Sequence, residues 1–150
     1  MMKSLKIFIL APLLGACSTF DWFAPPYDAE LDKSVMESHK AVSEITACID
    51  MGLCADVASF EQREQIYTKA VAGLKTARLR AETWEPPRRS ATGAEAKTLL
   101  IEMIDGCQAQ LMELGERHRK NGVPQNAGFT QPVDTACDQA LRAVQALKQG

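Results

Sequence analysis

Apolar side chains recur every three or four residues in four separate stretches of this 150-residue chain. This spacing places them along one face of an α-helix, whereas a half-buried strand needs alternation at every second residue. No stretch alternates in that way, no internal repeat is evident, and alanine, which favours helix, is abundant. The pattern therefore predicts an all-α fold, an antiparallel four-helix bundle.

The first two helices can be bounded from their capping and helix-breaking residues. The first is expected over 28–50, with acidic residues in its first turn that suit the helix dipole. The second is expected to begin at Ser59, because Ser59 and Gln62 form a capping-box pattern. It should end at Trp84, just before Pro86-Pro87.

The last two helices are bounded in the same way. Thr92 is expected to be the N-cap of the third helix, and Asn121-Gly122 is expected to end it. A loop is then expected over 123–131. The fourth helix should begin near Pro132, with Thr130 as its N-cap, because proline is tolerated in the first turn of a helix.

Residues 1–16 have the organisation of a secretory signal. Lys3 and Lys6 precede a run over 7–16 that carries no charge. A helix that spans a bilayer needs about 20 apolar residues, so this run is too short to remain in the membrane. It ends in small residues, as the cleavage site of an exported protein does.

Leu14-Gly15-Ala16-Cys17 resembles the lipobox of bacterial lipoproteins, and all four positions conform. The resemblance implies that residues 1–16 are removed, and that Cys17 carries a diacylglyceryl group and becomes the mature N-terminus. Because Ser18 and not an aspartate follows the cysteine, it also implies a place at the outer membrane, facing the periplasm. It covers only the start of the chain and implies nothing about the fold. The alternative is an ordinary signal that leaves Cys17 free.

On this interpretation the mature chain has two parts, a flexible lipidated tether over 17–27 and a helical domain over 28–150. The membrane is then the first partner, because two or more acyl chains hold a protein firmly where one does not. The tether contains Phe20, Trp22 and Phe23. These rings could rest in the membrane interface, pack on the domain or contact a partner.

Four cysteines remain besides the one in the lipobox, and an even number in an oxidising compartment indicates two disulfides. In an antiparallel bundle, Cys48, Cys54 and Cys137 would lie near one pole. Cys107 would lie about halfway along the third helix. The favoured pairing joins Cys48 to Cys54 and Cys107 to Cys137. The main rival joins Cys54 to Cys137 and Cys48 to Cys107.

The sequence offers no recognisable catalytic constellation. His39 and His118 lack an acidic residue three or four positions away, which is the spacing of metal sites in helical bundles. Both are interpreted as surface residues or residues at the edge of an apolar stripe. Glu113 and Glu116 are interpreted as part of a solvated face. Since Cys-x-x-Cys and phosphate-binding glycine motifs are also absent, we expect no catalytic residue, no metal and no cofactor, and a protein that is not an enzyme.

Charge narrows the choice of partner. Without residues 1–16 the chain has 15 basic and 19 acidic residues, a net charge of −4, which argues against a nucleic-acid partner. Basic residues cluster towards the end of the second helix. Either they attract the acidic first helix across the seam between the two helices, or an exposed patch binds a partner. The residues of that predicted patch are Arg78, Trp84, Arg88 and Arg89.

These features favour a non-enzymatic binding or assembly factor of an envelope machine for secretion or conjugation, with an envelope protein as its partner. Secretin pilotins are similar in broad outline, being small, lipidated, helical and disulfide-bonded, although no pilotin motif is present. The alternative is an inhibitor, or an immunity or exclusion lipoprotein, that exposes segment 121–131 as a protruding loop. Architecture alone does not decide between these functions.

Overall fold

A computed structural model describes residues 27–85, 91–124 and 127–147, apart from the side chains of Thr92 and Ala127. These ranges contain four helices and no strand. The helices are α1 (Ala29–Asp50), α2 (Val57–Thr83), α3 (Ala91–Asn121) and α4 (Ala127–Ala146). Each helix packs against the next along the chain, and α4 closes the ring by packing against α1. The predicted four-helix bundle is confirmed.

All four helices contribute side chains to one apolar core. Complete burial of a large aliphatic side chain contributes about 1.5–3 kcal/mol to the stability of a fold. The largest aliphatic side chains with almost no exposure are Val35, Val42, Ile45, Ile49, Leu74, Ile104, Leu111 and Val144. None of the described helices is both long enough and apolar enough to cross a bilayer.

The start of α1 agrees with the prediction. Asp28 is the N-cap, and its carboxylate accepts hydrogen bonds from the backbone N–H groups of Glu30 at 2.9 Å and Leu31 at 3.1 Å. These bonds satisfy donors that have no partner inside the helix. Arg80 of α2 contacts the same carboxylate at 2.8 Å. The beginning of α1 is therefore fixed beside the end of α2.

The predicted start of α2 is wrong by two residues. Asp56 is the N-cap, because its carboxylate accepts a hydrogen bond from the Ser59 N–H at 2.8 Å. The helix begins at Val57, so Ser59 lies in its first turn and does not cap it. Aspartate and serine are about equally good N-cap residues, so the local sequence does not decide whether Asp56 or Ser59 caps the helix. The end of α2 at Thr83, with Trp84 as C-cap, agrees with the prediction.

The predicted starts of α3 and α4 are also wrong. Thr92 lies inside α3, one residue after its first residue, and is not an N-cap. Helix α4 begins at Ala127, five residues before Pro132, which lies inside it. Pro132 is exposed and close to the helix start, so the loss of one backbone hydrogen bond there is tolerated. Thr130 does not cap α4, and its hydroxyl donates to Asp50 Oδ1 of α1 at 2.8 Å.

The favoured disulfide pairing is confirmed. One disulfide joins Cys48 to Cys54 across the α1–α2 corner, with 5.6 Å between the two Cα atoms. The other joins Cys107 of α3 to Cys137 of α4, with 4.5 Å between the Cα atoms. Cys137 lies halfway along α4 and not near the pole, because α4 begins earlier than expected. This displacement brings it level with Cys107.

The end of α3 is held against the start of α2. Asn121 is the last residue of α3, as predicted, and Gly122 follows with a φ of 70°. The Val123 N–H donates to the Ala55 carbonyl at 2.7 Å. A Cβ on Gly122 would lie 2.7 Å from that carbonyl oxygen, so only glycine fits this contact without a shift. Val123 is buried, and the loop expected over 123–131 is shorter than predicted because α4, which begins at Ala127, takes up its second half.

Candidate functional site

His118 is fully buried, and its interpretation as a residue at the surface or at the edge of a stripe is wrong. Nδ1 lies 3.1 Å from the Tyr67 hydroxyl. Nε2 lies 2.9 Å from the Ser59 hydroxyl and 3.0 Å from the Asp56 carbonyl oxygen. A histidine can enter a core when both ring nitrogens find partners, and the sequence spacing does not reveal those partners.

The protonation states in this network follow from burial. Desolvation lowers the pKa of His118 and raises the pKa of Tyr67, so the imidazole is neutral and the phenol keeps its proton. Tyr67 then donates to Nδ1, and Nε2 carries the ring proton towards the Asp56 carbonyl. The Ser59 hydroxyl donates to that same carbonyl at 2.6 Å.

In this arrangement His118 turns its N–H, and not a lone pair, towards the Ser59 hydroxyl. A serine is activated as a nucleophile only by a base that can accept its proton. The geometry is therefore that of a closed polar network that joins the end of α3 to the start of α2. Phe60 packs edge-on against the imidazole, with 5.6 Å between the ring centroids.

His39 lies on a polar seam between α1 and α4. Its Nε2 is 2.6 Å from Asp138 Oδ1, and the Thr46 hydroxyl donates to Asp134 at 2.8 Å. Burial raises the pKa of the Asp134 carboxyl. Within the described ranges, no group of three or more histidine, cysteine, aspartate or glutamate side chains is placed to hold a metal ion. These polar contacts join α1 to α4.

Ion pairs join α1 to α2, as expected if basic side chains of α2 attract the acidic first helix. Arg80 contacts Asp28, and Arg63 lies 3.4 Å from Glu44. The Arg80 guanidinium lowers the pKa of the Asp28 carboxyl, chiefly through its hydrogen bond. Both pairs are partly exposed, so solvent screens them and each contributes little to the stability of the fold.

Two members of the predicted basic-aromatic patch lie near the end of α2. Arg78 is 2.7 Å from both Glu82 and Asp105, so acidic neighbours already balance its charge. Trp84 is partly exposed, and its carbonyl accepts a hydrogen bond from the Lys97 ammonium at 2.6 Å. Arg88 and Arg89 lie outside the described residues. The patch remains a prediction.

Glu113 and Glu116 lie on a solvated face of α3, as predicted. Glu113 pairs with Arg117 one turn away. Glu116 pairs with Arg119 at 2.8 Å and with Lys120 at 2.6 Å. These intrahelical pairs lower the pKa of Glu116. The two carboxylates are neutralised by neighbours on their own helix and do not face each other as a catalytic pair.

An exposed apolar surface that the sequence patterns did not identify lies at the α1–α2 corner. It consists of Met51, Leu53 and Val57, which are 65%, 71% and 46% exposed, and is called here the apolar tip. The Cys48–Cys54 disulfide closes the loop that contains Met51 and Leu53. In the sequence, the only feature that marks this surface is a pair of large apolar residues between two cysteines, outside any helical stripe.

The chain enters the bundle at the opposite pole. Tyr27 lines a shallow pocket there with Trp84 and Leu100, where α2 ends and α3 begins. Helix α1 has 22 residues, so about 33 Å separates this entry pole from the apolar tip. Any attachment through the N-terminal segment would therefore leave the tip at the far end of the domain.

A second surface, called here the α2–α3 groove, runs between these helices with a volume of about 360 Å³. Charged side chains of Lys75, Glu116 and Arg119 line it together with an apolar floor. The main residues of that floor are Phe60, Val71, Ala72, Leu111, Met112 and Gly115. This groove could not be predicted from the sequence, because its existence depends on which faces of α2 and α3 meet.

Comparison with protein families, curated proteins and solved structures gives no match for this chain. Its function has to be inferred from its own surfaces. The buried His118 network is occupied by its own internal contacts. The apolar tip and the α2–α3 groove are the described surfaces best suited to contact another molecule.

Proposed function

We propose that this protein is a lipid-anchored, non-enzymatic binding factor on the periplasmic side of the outer membrane, and that it holds an envelope protein by the apolar tip. The exposure of Met51, Leu53 and Val57 in one corner carries the proposal. Exposed apolar groups that lie together on a soluble domain mark sites of interaction. Scattered single residues would not support the same inference.

The position of the tip supports a tethered adaptor. A lipid on Cys17 would hold the entry pole near the membrane, and the tip would point away from it by the length of the bundle. The Cys48–Cys54 disulfide and two hydrogen bonds from the corner backbone, Gly52 N–H to Ile49 at 2.8 Å and Leu53 N–H to Cys48 at 3.0 Å, keep the tip in one conformation. A surface ordered before binding loses less conformational entropy when a partner arrives.

Charge around the tip indicates the kind of partner surface. Asp50 and Asp56 are exposed on either side of it. A complementary partner would offer an apolar pocket with lysine or arginine at its rim, because opposite potentials favour encounter and register. The acidic flanks make an anionic membrane surface a poor partner for the tip.

Site-specific photo-crosslinking in living cells of the source organism tests the proposal. A photoreactive amino acid replaces Leu53 in one strain and Leu79 in the control strain. Leu79 is a matched control because it is 61% exposed on the side of the bundle, away from the tip. We expect one envelope protein to crosslink at position 53 and not at position 79.

Leu53→Asp and Leu79→Asp provide the second arm. Both positions are exposed, so each change should alter the free energy of unfolding by about 0.5 kcal/mol or less. Leu53→Asp should abolish recovery of the crosslinked partner by a second photoreactive group at Met51, and Leu79→Asp should not. Equal crosslinking at both leucines, or equal losses from both aspartates, would contradict binding by the tip.

A further inference from the structure

We propose that the α2–α3 groove binds a free long-chain fatty acid, with the hydrocarbon chain along its floor and the carboxylate at Lys75. The inference does not depend on the function assigned to the apolar tip, because the two surfaces share no residue.

The floor of the groove is apolar because large side chains alternate with very small ones. Phe60, Val71 and Met112 supply hydrocarbon surface, and Met112 is 53% exposed. Ala72 and Gly115 give the groove its depth. A Cβ on Gly115 would lie 3.2 Å from the Tyr67 ring, so this position has little room for a side chain. An exposed methionine is a flexible apolar surface that adapts to a bound chain.

The dimensions fit one hydrocarbon chain. The volume of about 360 Å³ falls at the lower end of the range of small-molecule sites, roughly 300–1,000 Å³. Along α2 the groove extends from Phe60 to Lys75, which is about 22 Å at the rise of an α-helix. One leaflet of a bilayer has a hydrocarbon depth of about 15 Å, so a single acyl chain can lie at full length in the groove.

The charged residues at the two ends of the α2–α3 groove determine which end holds the carboxylate of the ligand. Lys75 is exposed at one end and forms no ion pair with any residue in the described ranges. At the other end Arg119 is already paired with Glu116, and Lys120 contacts the same carboxylate. Because Glu116 already neutralises Arg119 whereas Lys75 has no carboxylate partner in the described ranges, a fatty-acid carboxylate would bind at Lys75.

The neighbouring groove, between α1 and α2, is less suited to a hydrocarbon chain because its lining is charged. Between α1 and α2, the lining includes Glu37, Lys40, Glu44 and Lys69. Charged groups along its length would leave a hydrocarbon chain in contact with poorly solvated charges, which is unfavourable. Lys69 is nevertheless an exposed lysine on the same helix as Lys75, and it provides a matched control.

The test is a calorimetric titration of the disulfide-bonded Cys17→Ser chain with oleate below its micelle concentration, with backbone NMR shifts used to locate the site. We expect one oleate to bind and to shift the signals of α2 and α3 around Ala72 and Met112. Lys75→Gln should weaken oleate binding by roughly tenfold, the scale of one lost charge-assisted hydrogen bond. Lys69→Gln should leave it unchanged. Oleyl alcohol should bind alike to the parent and to Lys75→Gln.

A second pair of variants tests the floor. Ala72→Leu fills the groove and should abolish oleate binding, whereas Ala47→Leu, at an exposed position on α1, should not. No binding of oleate, shifts elsewhere on the bundle, or equal losses from the two glutamine variants would overturn the proposal. So would a dimer that Ala72→Leu dissociates and that binds no oleate, because the groove would then belong to a second copy of the chain.

Discussion

Gly73 lies where α2 comes closest to α1, and its replacement by alanine gives a quantitative test of that packing. A Cβ at this position would overlap the Ser38 hydroxyl oxygen and lie 3.2 Å from the Ser34 carbonyl oxygen. Ser38 is buried, and its Oγ has no hydrogen-bond partner within the described structure. The contact is therefore a steric one between two helices, with no compensating hydrogen bond to preserve.

The expected magnitude follows from two opposing effects. Alanine in place of glycine stabilises a helix interior by about 1 kcal/mol. Overpacking of a buried contact costs about 1–3 kcal/mol. Gly73→Ala should therefore lower the free energy of unfolding by up to about 2 kcal/mol. Gly106→Ala is the matched control, because a Cβ there meets nothing within 4 Å, and it should raise stability by about 1 kcal/mol.

Urea unfolding of the oxidised protein, followed by circular dichroism, measures both changes. The slopes against urea should match the parent, so that the shift in midpoint reports stability alone. Ser38→Ala removes the overlapping oxygen and an unpaired buried hydroxyl, so it should rescue Gly73→Ala in the double variant. If Gly73→Ala were as stabilising as Gly106→Ala, the close approach of α1 and α2 at this point would be wrong.

Two further predictions concern pH and the disulfides. The folded-state pKa of His118 is lower than its value of about 6.5 in an unfolded chain, so stability should be greatest above that pH and fall as pH decreases from 6.5 towards the folded-state pKa. Chemical denaturation from pH 5 to 8 should show this loss in the parent and a smaller one in His118→Gln; identical pH profiles would argue against a neutral buried histidine. Removal of Cys107–Cys137, which closes a loop of 30 residues, should cost about 3.6 kcal/mol, against about 2.2 kcal/mol for Cys48–Cys54 with a separation of 6. Serine pairs at each disulfide, compared by urea unfolding, check the order, and a larger loss from the shorter loop would contradict the chain-entropy argument.

Features encoded by local sequence could be predicted. The start of α1 just after Asp28 and the end of α3 just before Gly122 depend on capping and on glycine geometry, which act within a few residues. The disulfide pairing could be favoured because short connections fix which helices are neighbours. In each case the deciding contact is close in sequence or follows from the order of the helices.

Features that depend on tertiary contacts could not be predicted. The position of Pro132 predicts that α4 begins near it, yet the helix extends back to Ala127, and the Thr130 side chain bonds to Asp50, 80 residues away. His118 continues the apolar stripe of α3, but its burial requires Ser59 and Tyr67 from another helix. Propensity and capping carry no information about such partners, so they cannot place these residues.

The candidate surfaces illustrate the same limit. Leu53 and Leu74 have the same side chain, yet Leu53 is 71% exposed and Leu74 is only 1% exposed. The difference arises because Leu53 lies in the corner that turns away from the core. The α2–α3 groove depends on Ala72 and Gly115 lying on facing helices, which becomes visible only when the helices are packed.

The intact mass of the mature protein, extracted from membranes without reduction, tests the lipid anchor and the oxidised state of the cysteines in one measurement. We expect a chain that begins at Cys17, carries the mass of a diacylglyceryl group, and has no thiol that reacts with an alkylating reagent. A chain that still begins at Met1, or that begins at an unmodified Cys17, would contradict the anchor. Alkylation of Cys48, Cys54, Cys107 or Cys137 without reduction would contradict the oxidising compartment in which the bundle is proposed to act.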